Sequence, residues 1–540
     1  MSMSTKETDT SSPSPASSDL FTVTRPTAGF PLGGDLLWHI FSMNADMEDK
    51  SEDKTPALST LRHNSQVCLA WRNLIVNSPS LWGRIINFDW LHQEDWRKEV
   101  ICRTGSSDLF IRGGITHKLS LIGDSVISIL ADNWPRVRSL ELDFDDEHNS
   151  EIVEYGSDLW RLLKRSPDAL ESFKLTLTNL EEDPFILSPP DFTIFSNYAP
   201  SLRTFTAPSI QFNIRAPWVS SICHLSLTTP TPVHELLEVL AQMPLLETLE
   251  DCGVQAIIHG DPSQMRKVAL PRLHHIIFNV KLNVTPYIAF LAQIEPLHGR
   301  VLWLYCNSFS YTDYDLGVQD INTISQVLST YSRHAELSTS TTITLSIRRG
   351  VFQFFAQLPN GQSFNFILIY STNLTERVGI ELWNALRFPS VPHADCMGLY
   401  LHQSVPILPL SSKFTEIIAG AGSVTRLEAT PQTLRLLLLL PGDLLKIAFP
   451  LVKTVVVKEW TRFTPGNDVE PLHDFLAFRS ASGISISCLY VDITHGYLDL
   501  TSFEKFTGLK VVVSRYEEES DEYICGNGRP DALLFEEPPR

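Results

Sequence analysis

The chain has 540 residues, 43% of them hydrophobic, with 62 acidic against 43 basic side chains and a formal net charge of −19. Such a length exceeds one ordinary compact core, so it implies either several domains or one elongated repeat array. The acidic balance and the lack of any Lys/Arg run argue against nucleic acid, because phosphate binding needs clustered cations.

The first residues, MSMSTKETDTSSPSPASSDL, carry no basic start and no apolar h-region, so 1–27 reads as a Ser/Pro-rich tail and the expected location is intracellular, cytoplasmic or nuclear. From Leu32 the chain turns apolar: LGGDLLWHIF places Leu32, Leu36, Leu37, Ile40 and Phe41 at helical spacing, with Asp35 near the positive end of the helix dipole. Residues 42–57 are charged and aperiodic and end at Pro56, which predicts an insert. Leu58, Leu61, Val67, Cys68, Trp71, Leu74 and Ile75 then follow mostly by threes and fours, which predicts one further helix. Asn77-Ser78-Pro79 breaks it, and Ser78 and Pro79 suit the N-cap and first turn of a third short helix carrying Leu81 and Trp82. The expected small module of three helices, 28–90, has a core too slight to stand without a covering partner.

After residue 90 the pattern apolar-x-x-apolar-x-apolar recurs: Val137, Leu140, Leu142; Leu170, Phe173, Leu175; Leu202 and Phe205; Ile222, Leu225, Leu227; Leu246 and Leu249; Leu273, Ile276, Phe278. The first positions are spaced by 33, 32, 20, 24 and 27 residues, the range of leucine-rich repeats although irregular. Over 281–420 only echoes remain, Val301 with Leu304 and then Cys396, Leu399, Leu401. The signal returns at Val424 and Leu427; Val452, Val455, Val457; Ile486, Leu489, Val491; and Leu509 with Val512. Helical stretches such as VHELLEVLAQM and LHDFLAFRSASG lie between copies. A strand and a helix of that size cannot bury their own apolar face, so residues 91–516 are expected to stack as an α/β leucine-rich-repeat-like solenoid, a horseshoe. The acidic EEESDE opens an expected C-terminal tail over 517–540.

Together the first helix, the insert, VCLAWRNL and SPSLW resemble the F-box-like proteins of mushroom-forming fungi. Their pattern runs Leu-Pro-x-Glu-Leu-Leu-x-x-Ile-Phe, a spacer, Val-Cys-x-x-Trp-Arg-x-Ile and Ser-Pro-x-Leu-Trp. Leu32, Asp35, Leu36, Leu37, Ile40 and Phe41 fill the first half, and Val67, Cys68, Trp71, Arg72, Leu74, Pro79, Leu81 and Trp82 the second. Gly33 stands where that family has proline. The resemblance implies a non-enzymatic substrate receptor: the module docks on the adaptor subunit of an SCF-type cullin-RING ubiquitin ligase, and so on its cullin scaffold, while degenerate leucine-rich repeats hold a target protein. Leu32, Leu36, Ile40, Val67 and Trp71 would lie at or near the adaptor interface. The competing expectation is a stand-alone interaction scaffold that recruits no ligase.

No phosphate loop, dinucleotide fingerprint, nucleophile elbow or zinc spacing appears, so no catalytic, cofactor or metal residue is assigned. His274 and His275 are adjacent in an expected strand, which would send their rings to opposite faces. The carboxylates of Asp143–Glu151 read as a solvated loop, and GAGSV at Gly420–Val424 as a turn. The eight cysteines have no CxxC and no short-range pairing, and are expected as reduced thiols. LRLLLLLPGDLL, from Leu434, is stopped by Pro441 far short of the roughly 20 residues of a membrane span and reads as a buried helix, so no membrane partner is expected.

Overall fold

In the computed structural model the described residues are 33–535, leaving out 46, 48–55, 116–122, 146–157, 179–187, 189–191, 209, 227–230, 252–264, 281–282, 300, 308–315, 371–376, 388–392, 403–411, 461–468, 494–497 and 516–518. They hold fifteen α-helices and one large, mostly parallel sheet. The expected tail at 1–27, Leu32, most of the insert and the acidic residues 146–151 lie outside the described residues.

The N-terminal helices are α1 Gly34–Asn44, α2 Ala57–Val67, α3 Leu69–Val76 and α4 Pro79–Gly83. There are four rather than three, because the expected single helix over Leu58–Ile75 divides at Cys68, whose backbone is extended at φ −156° and ψ 167°. No glycine or proline signals that break. The Cys68 Sγ takes the N-cap role, accepting from the Trp71 amide at 3.5 Å. The insert also starts later than expected: α1 runs on through residues 42–44, and Ser42 is buried with its hydroxyl bonded to the His39 carbonyl.

The sheet follows the chain for nine strands, each parallel to the one before: β1 Ile86–Asn87, β2 Leu109–Ile115, β3 Val137–Asp145, β4 Ser172–Thr178, β5 Thr204–Thr206, β6 His224–Ser226, β7 Thr248–Asp251, β8 His275–Val280 and β9 Val301–Asn307. The order then changes. β10 Thr342–Arg348, β11 Val351–Gln357 and β12 Ser363–Ile369 form an antiparallel meander laid in backwards, with β12 parallel beside β9 and β10 on the far side. β13 Cys396–Leu401 adds parallel to β10, followed by β14 Arg426–Ala429, β15 Thr454–Trp460, β16 Cys488–Ile493 and β17 Lys510–Arg515. β18 Glu519–Ile524 pairs antiparallel with β17 and ends the sheet.

Side chains alternate across a strand, so one register places one residue of each strand in the same row. A buried row runs from Ile86 and Ile111 through Leu140, Phe173, Phe205, Leu225, Leu249, Ile276 and Leu302. It crosses the meander at Phe364, Ala356 and Ile343, and continues through Met397, Leu427, Val455, Leu489 and Val511. The helices between strands bury their apolar stripes in the same core; Val233–Leu240 and Glu470–Ala481 are the two stretches expected as helical. The leucine-rich run at Leu434 is two short helices, Pro431–Leu437 and Gly442–Ile447, parted by Pro441. Among the described residues no helix is long and apolar enough to cross a membrane.

The row corrects the expected repeat frame in three places. In β9 the residue in register with Ile276 is Leu302 rather than Leu304, in β13 the residue in register with Leu427 is Met397 rather than Leu399, and in β17 the residue in register with Leu489 is Val511 rather than Val512. The expected tail after Glu517 is also corrected: residues 519–524 are the last strand, and Leu534–Phe535 pair with Leu498–Asp499 while Leu533 and Phe535 are buried.

Candidate functional site

A helical module this small should hide all its apolar side chains, and it does not. Leu37, Phe41, Leu58, Leu61, Ile75, Leu81 and Trp82 are buried. Leu36, Met43, Val67, Leu69 and Val76 are 49%, 59%, 60%, 72% and 39% exposed. These five are a third of the fifteen large apolar side chains exposed among the described residues, in a stretch under a tenth of the chain. Leu36, Ile40 and Met43 share one face of α1 at spacings of four and three, with Ile40 half-buried. Val67 and Leu69 flank the break at Cys68, so the kink turns two apolar residues outward together.

Of the residues expected at the partner surface, Leu36 and Val67 are therefore open to solvent and Ile40 is partly open. Leu32 lies outside the described residues. Trp71 is half-buried and set edge-on against Phe41 with ring centroids 5.0 Å apart, so it belongs largely to the module's own core. Sequence reasoning missed Met43, Leu69 and Val76. Leu69 is the most exposed apolar side chain of the module, and it followed a residue counted as mid-helix, where the break was invisible.

The module is fixed to the sheet behind it. Trp82 donates its Nε1–H to the Ile75 carbonyl at 2.9 Å and meets Trp96 edge to face at 6.4 Å, and the Arg103 guanidinium lies 4.6 Å from the Trp82 ring centroid. At Gly83 a Cβ would come within 2.2 Å of the Asp108 carbonyl oxygen, so only glycine lets the last turn of α4 approach the start of β2. Arg136 donates to Thr104 Oγ1 at 2.9 Å and to the Ser107 carbonyl at 2.7 Å just below.

Beside that junction, on the sheet face opposite the buried row, lies an open groove of about 480 Å³. Its floor is Phe110, Ser139, Ser172 and Thr204 in one row and Arg112, Glu141 and Lys174 in the next; its rim is Ala45, Met47 and Arg84. Glu141 is shared between two cations, Lys174 Nζ at 2.7 Å and Arg112 Nε at 3.5 Å. Arg112 also donates to the Met47 carbonyl at 2.7 Å, and Arg84 lies over the Phe110 ring at 5.6 Å.

Elsewhere the histidine pair departs from expectation. His274 precedes β8 instead of lying in it, and its Nδ1 is 2.9 Å from the Arg272 carbonyl. The two rings therefore sit 4.6 Å apart instead of pointing to opposite faces. Burial, then the neighbouring His274 and His224, hold His275 below the usual imidazole range, and its Nε2 is 2.8 Å from the Gln362 amide nitrogen. Among the described residues no three His, Cys, Asp or Glu are placed to hold one metal ion. The seven described cysteines are free, and burial raises the Cys525 thiol to about 11 and the Cys306 thiol further.

No family model matches the chain, and no curated protein matches it.

Proposed function

We propose that this chain is a non-enzymatic substrate receptor of an SCF-type cullin-RING ubiquitin ligase, working inside the cell, in cytoplasm or nucleus. In this reading residues 28–90 are an F-box-like module that docks on the ligase adaptor, and the sheet and its helices are an irregular leucine-rich-repeat-like solenoid that holds a target protein. Catalysis belongs to other subunits and comes from proximity. One observation carries the reading. Leu36, Val67 and Leu69 are large, exposed and apolar on helices whose opposite faces already fill the core, and such surplus area is what a partner's helices would cover.

The test is capture of the purified protein by the ligase adaptor. Leu36→Asp with Leu69→Asp is expected to abolish capture while the circular dichroism spectrum is unchanged. Absence of capture by the wild-type chain would sink the reading. Trp71→Asp is a poor choice, since its loss would unseat Phe41 as well.

A second reading, a scaffold that recruits no ligase, is favoured by the contacts of Trp82 with Trp96 and Arg103 and by the approach of Gly83 to Asp108, which bind the module to the next helix, Glu94–Arg103, and to the start of β2. Under it, the same double substitution leaves every partner bound.

A further inference from the structure

We propose that the groove between the helical module and strands β2–β5 is a binding site for an acidic peptide segment of a partner protein. Three of the four charged side chains that line it are cations, Arg84, Arg112 and Lys174, against the single carboxylate of Glu141. The lining is thus two positive charges in excess in a chain whose net charge is −19. Such a local reversal of sign attracts a ligand that the rest of the surface repels.

The groove is arranged to use that excess. Arg112 and Lys174 are aligned by the one carboxylate between them, so their positions are fixed before any ligand arrives. Arg84 is exposed on the rim, stacks on Phe110 and has no acidic partner among the described residues, which leaves its guanidinium fork for an incoming carboxylate. The hydroxyls of Ser139, Ser172 and Thr204 line the floor at one per strand, about 4.8 Å apart in the hydrogen-bonding direction. A volume near 480 Å³, open along one side, suits a few side chains of an extended segment.

The binding stands on the groove alone; only its description as a target sequence rests on the receptor reading. The experiment is fluorescence anisotropy on the full chain with a labelled peptide of Glu, Asp and Gly, beside a peptide with Lys at the acidic positions. The acidic peptide is expected to bind, the basic one not, with affinity falling steeply as salt rises from about 50 to 300 mM. Arg84→Glu should weaken binding at least about tenfold and Lys174→Gln by less, with denaturation midpoints unmoved for Arg84→Glu. Adaptor capture by Arg84→Glu should equal that of wild type, which separates this site from the docking reading.

Equal binding by Arg84→Glu overturns the proposal. So does binding of inorganic phosphate or free glutamate as tight as that of the peptide, which would mark a small-anion site. Peptide bound only by a chain lacking residues 48–55 would assign the groove to the chain's own acidic segment and equally overturn it.

Discussion

The helical module and the sheet handle apolar surface in opposite ways. Along the sheet one register stacks an apolar side chain from strand after strand, from Ile86 to Val511, and nearly all of them are within 3% of full burial. In the module, four helices bury one side and leave Leu36, Met43, Val67, Leu69 and Val76 in water. A sheet stabilises itself by adding neighbours, whereas a short helix set runs out of neighbours and leaves apolar side chains in water.

That contrast can be broken at its strong end. Phe173 is fully buried between Phe195, edge-on at 5.1 Å, and Phe205, stacked at 5.7 Å. Phe173→Ala should cost about 3–5 kcal/mol, read as a lowered midpoint in chemical denaturation. A loss below about 1 kcal/mol would mean that the row is not one packed core.

Arg479 tests the polar exception inside that core. Only 1% exposed, it donates to the Ala448 and Phe449 carbonyls at 2.9 and 2.8 Å, and burial lowers its pKa to about 10. Arg479→Met keeps the bulk but strands two buried acceptors, so a loss of about 2–4 kcal/mol is expected in the same assay.

The module should respond the other way. Leu36→Asp and Leu69→Asp lie at exposed positions in first turns of helices, where an acid suits the dipole. Their effect on stability should stay within about 0.5 kcal/mol. A large destabilisation would show those side chains to be core and remove the contrast.

The smallest effect is a slope. His275 has a folded pKa below the usual 6.5, so the unfolded chain takes up its proton first as the pH falls. Stability is full above about 6.5 and declines through the interval down to the folded value. Protonation would also set an N–H against the Gln362 amide. His275→Gln should flatten the dependence of the thermal midpoint on pH in that window; an unchanged slope would rule out this assignment.

Much of the fold was legible wherever strands are buried on one face only. Leu140, Phe173, Phe205, Leu225, Leu249, Ile276, Leu427, Val455 and Leu489 occupied the middle of the apolar pattern and all fall in the buried row. The frame slipped in β17, where both faces are covered: Val512 is 4% exposed on the side opposite Val511, so KVVVSR carries no alternation to read. In β9 and β13 it slipped by two residues along one buried face, from Leu302 to Leu304 and from Met397 to Leu399. Over 281–420 the signal faded because an antiparallel meander interrupts the parallel order of the strands. The acidic strand Glu519–Ile524 was hidden by charges that suit an edge; Glu522 pairs with Lys510 at 2.8 Å, and such charges discourage pairing with another sheet.

At the candidate surface two of the side chains that the resemblance singled out, Leu36 and Val67, are exposed, while Met43, Leu69 and Val76 are exposed without having been singled out. Leu69 was missed because a sulfur N-cap leaves no mark in composition. The groove could not be read at all, since Arg84, Arg112 and Lys174 are far apart in the chain and meet only through the strand register.

The meander of β10, β11 and β12 bears on how such a chain assembles. Each parallel neighbour requires a crossover of many residues before its first contact, but these three strands are joined by links of two and five residues. Loop closure is therefore least costly near the middle of the sheet. Hairpins form within microseconds, so this meander supplies an early template with two open edges, from which β9 and β13 can each propagate outward toward the two ends of the chain.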